Sequence, residues 1–389
     1  MVELEEGTWI ELYGMKTLHY NGKQGELVKV ASDETNWRAV VQLVAEGRSM
    51  RIKPCNIRRF EADPTKLRES FTVIGERNYA ELLSIALKKG HDIEIVIELA
   101  KLANNALSFY FGNGYAHLLQ AYLVKSTKQP LDLLLRHYRR SLASKCFTNA
   151  PIELNVIIEY VEVLEEVGEL DTMDYFLTRT LKRYSDHVII RFKHARCLRK
   201  LDRKHDSLRL YKTLFGDVMK LDANSAYSSR KEEYIGDYFD CILSIGVDYR
   251  VQYENFAKSV EILRDLLSFT LFSSYISSEK SLYAQLHLAA AVVSAGNTLE
   301  GRNIVNNALS RNCLNKICDY QSFAYHIFGL AHIQDAENSV LNEDKRKHYE
   351  VASNMFEKAL NLNISDKSSQ VQKLRVERKI ESLEKETQT

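Results

Sequence analysis

Residues 187–214 read HVIIRFKHARCLRKLDRKHDSLRLYKTL, and they decide the fold. Apolar residues recur with a helical period over 187–200 and again over 204–220, which predicts two helices joined by a tight turn. Ala195 in the first is followed at steps of 12, 4 and 3 residues by Ser207, Tyr211 and Leu214 in the second. Small residues let paired backbones cross closely, and an aromatic fills the gap beside them. The same steps fit Val161, Met173, Leu177 and Thr180, and also Ala289, Gly301, Val305 and Ala308. With a turn 11 residues longer they fit Gly236 with Ser259, Leu263 and Leu266, and Gly329 with Ala352, Phe356 and Ala359.

Helical periodicity extends outward from this pair, beginning at Leu67 and continuing to about 386. Composition agrees: the 389 residues include only 16 Gly and 4 Pro, where average usage gives roughly 27 and roughly 19. Gly90, Gly168, Gly246 and Gly296 fall where helices are expected to stop, and Asp92, Asp171 and Asn297 where the next ones start. Paired helices with short turns predict an antiparallel helix-pair array over 77–389, closed by a polar C-terminal helix over 367–386. A linker is expected at 61–76, around Asp63-Pro64.

The pattern Ala352-x-x-x-Phe356-x-x-Ala359-Leu360-x-Leu362, with that of 187–215, resembles the tetratricopeptide repeat over about 150–364. No repeat ends in the usual Pro and two carry long turns, so a HEAT-like or other α-solenoid stays open; 67–150 shares only the helix-pair rhythm. The resemblance implies a groove lined by the first helix of each pair, which captures a peptide or helix. It also implies where a chaperone-tail carboxylate would be gripped. Of Ile158, Glu162, Phe192, Arg196, Leu286, Ala290, His326 and Leu330 at those places only Arg196 suits, which argues against that ligand.

Residues 7–60 differ. Leu27–Val30, Trp37–Leu43 and Met50–Ile52 are β-rich runs separated by Asn21-Gly22, Ala31–Asp33 and Glu46-Gly47, and Pro54 closes the last. Five short strands in so few residues predict a small curved barrel. Gly14, Asn21-Gly22, Gly25 and Lys53-Pro54-Cys55-Asn56-Ile57 resemble an SH3-like small β-barrel at 1–60. Trp9, Tyr13, Tyr20 and Arg51 are its candidate surface for an extended peptide, with Trp37 expected in its core.

Charge is balanced overall, 53 Lys+Arg against 52 Asp+Glu, but not locally. Between Cys146 and Thr178 there are eight acids and no base, while Arg179–Lys212 holds twelve bases and three acids. Within this stretch Lys193, Arg196, Lys200 and Arg203 are the candidate partner-binding residues, forming a basic stripe for an acidic peptide. Two other readings compete. The charged faces are structural, matched between adjacent helix pairs or simply solvated, or the stripe and the basic N-terminal module bind an RNA backbone.

Catalysis has no sequence support: no phosphate-binding Gly loop, nucleophile elbow or His-Glu-x-x-His occurs. Cys313, Cys318, His326 and His332 have poor zinc spacing, since two helical His six residues apart diverge by about 120°. No metal or cofactor is expected. The acidic start and the short longest apolar run, Leu288 to Val293, argue against a secretory signal and a membrane span. The expectation is a non-enzymatic adaptor or scaffold, cytoplasmic or nuclear, that holds a protein segment in its groove.

Overall fold

The computed structural model describes residues 7–12, 14–16, 24–31, 38–43, 49–60, 63–89, 92–147, 150–220, 230–269, 272, 274–310 and 318–388. The chain divides into two units, Met1–Phe176 and Leu177–Thr389.

In the first unit, strands β1 (Trp9–Leu12), β2 (Gln24–Ala31), β3 (Arg38–Leu43), β4 (Ser49–Ile52) and β5 (Ile57–Arg59) form one antiparallel sheet in the order β4-β3-β2-β1-β5. Strand alternation puts Ile10, Leu12, Leu27, Val41, Leu43 and Ile52 into one apolar cluster. The edges β4 and β5 do not pair among the described residues, so the sheet is open and uncurled. The closed SH3-like barrel expected from the turn signals is therefore not formed. Those signals specify hairpins between neighbours, whereas closure needs a pairing that no local turn encodes.

Trp9 and Glu26 lie opposite each other in the β1–β2 register, on the other side of their strands from Ile10 and Leu27. Both meet helices. The Trp9 ring lies 4.1 Å from that of Phe111, and Glu26 forms an ion pair with Arg140, whose guanidinium sits 4.7 Å from the centre of the Phe111 ring. A Cβ at Gly7 would come within 2.8 Å of the Arg139 backbone, so only glycine fits at this contact.

The helices of this unit begin with α1 (Pro64–Val73), inside the stretch expected to be a linker. Asp63 caps it by accepting from the Thr65 amide, and Pro64 takes the first helical position, where its missing N–H is harmless. Then come α2 (Glu76–Lys89), α3 (Ile93–Phe109), α4 (Gly114–Ser126), α5 (Leu131–Ala143), α6 (Ala150–Val167) and α7 (Leu170–Arg183), the last containing the boundary between the units. Asp92 caps α3 as expected, and Asn113 caps α4. The buried Asn113 amide also donates to the Ser70 and Ile74 carbonyls, tying α1 to the start of α4.

In the second unit the pairs are α8 (Val188–Lys200) with α9 (Lys204–Met219), α10 (Lys231–Val251) with α11 (Phe256–Ser268), α12 (Ser278–Ser294) with α13 (Thr298–Ser310), and α14 (Cys318–Asn338) with α15 (Asn342–Leu362); α16 (Lys367–Gln388) packs on α15. This is an array of helix pairs, as the periodicity and turns predict. Its crossings are close, as the small-residue spacing required. Ser207 Oγ donates to the Ala195 carbonyl at 2.7 Å, and a Cβ at Gly301 would lie 3.2 Å from the Ala289 carbonyl. One expected pairing shifts. Ser259 donates to the carbonyl of Gly246, not of Gly236, and Gly246 lies within α10 against Leu263 instead of ending a helix.

Candidate functional site

The basic stripe is built on α8 and the turn into α9. Lys193 is buried at 3% exposure, Arg196 is half-buried, and Lys200 and Arg203 are exposed. Arg196 forms ion pairs with Glu233 and Asp237 on α10, Arg199 reaches Asp237 at 2.9 Å, and Lys204 reaches Asp248 at 2.6 Å. Burial raises the Asp237 carboxyl above its usual range even though Arg196 and Arg199 pull it down. Arg203 pairs with Asp206 in its own turn. Three bases of these helices, Arg196, Arg199 and Lys204, thus face acids of the neighbouring helix pair.

Of the four candidates on the sheet, Trp9 is buried against Phe111, Arg51 is exposed on β4, and Tyr13 and Tyr20 lie outside the described residues, as does Trp37. Buried Trp9 thus contributes to docking of the sheet on its helices.

The two histidines of the candidate zinc set have separate partners. His326 Nδ1 is 2.8 Å from Ser369 Oγ and His332 Nδ1 is 3.4 Å from His348 Nδ1, while Cys313 and the Cys318 side chain lie outside the described residues. His332, Asp335 and His348 do converge, with ligand atoms within 4.8 Å of one another. However, the Asp335 carboxylate already accepts from Thr298 at 2.7 Å and pairs with Arg302. The guanidinium holds the place a cation would take, and the group reads as a polar tie joining α13, α14 and α15.

Two features escaped the sequence reading. On α12 and α14 of the second unit, Tyr283 is 39% exposed, and its ring centre lies 5.7 Å from Tyr320 and 6.5 Å from Phe323. Beneath it His287 is 6% exposed, and neither ring nitrogen has a hydrogen-bond partner among the described residues. The Arg250 Nε on α10 is likewise buried without one. Burial and the Arg250 charge bring His287 down to about 3.

In the first unit, a cavity of about 140 Å³ opens between α2, α4, α5 and α6. Tyr79, Tyr138, Leu118 and Val156 are its buried walls, while Tyr122, Leu83, Ile152 and Glu159 are half-buried around it. Tyr138 donates its hydroxyl hydrogen bond to Glu159, and Lys125 Nζ lies 3.8 Å from the same carboxylate oxygen. Burial pushes the Tyr79 and Tyr138 hydroxyls above their ordinary range and Glu159 adds to the shift, so both stay neutral. With 21 tyrosines in the chain, no spacing marks these three. Their convergence depends on helix packing.

No protein-family model matches the chain, and no curated protein sequence matches it. Among solved structures it is similar to a tetratricopeptide repeat protein from Parabacteroides merdae, at 14% identity over 68% of this chain and 98% of the other, with a TM-score of 0.37. The P58(IPK) tetratricopeptide domain is matched over 99% of its length and 84% of this chain, at 12% identity and a TM-score of 0.30. YrrB, a tetratricopeptide protein with an unusual peptide-binding site, is matched over 88% of its length and 55% of this chain, at 10% identity and a TM-score of 0.34. Similarity this low transfers no residue role. The helix-pair array rests on the packing of this chain's own helices.

Proposed function

We propose that the chain is a non-catalytic protein-interaction scaffold whose helix-pair array in Leu177–Thr389 holds a segment of a protein partner. Stacked helix pairs offer extended binding surfaces, and partners are gripped by aromatic and basic anchors on the first helices. The observation that carries this reading is the aromatic strip Tyr283, Tyr320 and Phe323 above the unpartnered donors of His287 and Arg250. Pairing of Arg196, Arg199 and Lys204 within the unit supports a protein over an RNA ligand, since an RNA site needs cations available to phosphate.

The test is affinity purification from nuclease-treated extract, with mass spectrometry, of the wild-type chain and Tyr283→Ala/Phe323→Ala. The expected result is a protein that survives nuclease and is lost or reduced about tenfold with the double variant, because interface aromatics dominate binding energy. Nucleic acid retained with a steep loss on adding salt would overturn it.

A further inference from the structure

We propose that the cavity between α2, α4, α5 and α6 is a receptor for a lysine side chain presented by a basic protein segment. This goes beyond the groove reading and does not depend on it, since every residue involved lies in Met1–Phe176.

Size and polarity select the guest. A cavity of about 140 Å³ is too small for a nucleotide or drug-sized ligand, which needs roughly 300 Å³ or more. It compares with the roughly 150 Å³ that takes a benzene-sized guest. A lysine side chain is of this size, with a four-carbon apolar stem and a compact cationic head. The lining divides in the same way. Leu83, Leu118, Ile152 and Val156 suit the stem, and Tyr79, Tyr122, Tyr138 and Glu159 suit the head. Tyrosine faces attract a cation through the ring quadrupole, most strongly when water is excluded, and Glu159 supplies a full negative charge.

Two further observations point to a cation. On helix α6 Glu162 and Glu166 fall within about 60° of Glu159, and no Lys or Arg lies between Cys146 and Thr178, so a basic segment is attracted to this face. The chain also places its own ammonium there. Lys125 lies 3.8 Å from Glu159, with the two side chains 56% and 46% exposed. A pair this exposed is weak, so an incoming lysine that fills the cavity displaces it readily.

The probe is the tripeptide acetyl-Gly-Lys-Gly-amide, titrated into the full chain with ring-labelled tyrosine and followed by NMR. The controls replace lysine with norleucine, which keeps the stem and loses the charge, or with arginine. The lysine peptide should shift the Tyr79, Tyr122 and Tyr138 resonances and bind about tenfold more tightly than either control. Glu159→Gln keeps an acceptor for the Tyr138 hydroxyl and should remove most of that preference. Lys125→Met should raise lysine-peptide affinity about threefold, by removing the competing cation. Equal binding of the lysine and norleucine peptides would make the cavity an apolar void and overturn the proposal. Tighter binding of the arginine peptide would overturn the choice of lysine. If Glu159→Gln melts lower, the Lys125→Met variant decides, and unchanged or weaker binding there removes Glu159 from the site.

Discussion

At the scale of residues, buried histidines make the fold sensitive to acid. His287 is brought down to about 3 by burial and by Arg250, and His137 to about 4 by burial with Arg140 and Arg136. An unfolded histidine titrates near 6.5, so below that pH the unfolded chain takes up protons that the folded chain refuses. Stability therefore falls with acidification from about pH 6.5, and for His287 it keeps falling until about pH 3. At pH 5 the cost for this one group is at most about 2 kcal/mol. His287→Phe, which suits the aromatic surroundings of Tyr283 and Phe323, should flatten the fall in melting temperature between pH 7 and pH 5. An unchanged slope would mean that His287 already titrates normally in the folded chain. The charge of the α8 stripe was readable from sequence, but its partners were not. Glu233 lies 37 residues from Arg196, and only packing of α8 beside α10 brings them together.

At the scale of elements, helices were legible because periodicity, caps and small-residue crossings are all local. Ala195 with Ser207 and Gly329 with Phe356 meet as their spacing indicated. Gly246 reads as a helix end but lies within α10, because a glycine inside a helix and one at its end look alike in sequence. Helical periodicity begins at Leu67, inside α1, yet Asp63-Pro64, which starts this helix, suits a linker equally well. The open sheet was read as a barrel because edge pairing is not local. Gly329 is the sharpest test of a crossing, since a Cβ there would lie 2.6 Å from the Phe356 ring. Gly329→Ala should destabilise the second unit by about 1–3 kcal/mol, the usual cost of overpacking. Phe356→Leu should recover part of this in the double variant, measured by denaturant unfolding of all four combinations. Additive losses would show that the two residues do not share the strain.

At the scale of the whole molecule, the question is where the N-terminal boundary lies. A cut at 61 removes the sheet, and with it Trp9 over Phe111 and Glu26 beside Arg140. It leaves α1 in place, with Ser70 donating to the Ala106 carbonyl at 2.7 Å and Asn113 donating to Ser70 and Ile74. A cut at 77 removes α1 as well. The Asn113 amide, 0% exposed in the intact chain, then loses the Ser70 and Ile74 acceptors. Water can replace those acceptors once α1 is gone, but the burial of Ile74, 0% exposed, is lost, which costs about 1.5–3 kcal/mol. In a unit of this size each kcal/mol shifts melting by about 2–4 °C. The helices of both truncated chains should still form, but 77–389 should melt about 3–12 °C below 61–389. Circular dichroism melts of the two fragments decide it. Equal melting would place the boundary after α1 and make 61–76 a linker in energetic terms despite its helix. A lower melt for 77–389 would make α1 the first helix of the array and leave the sheet as the detachable part.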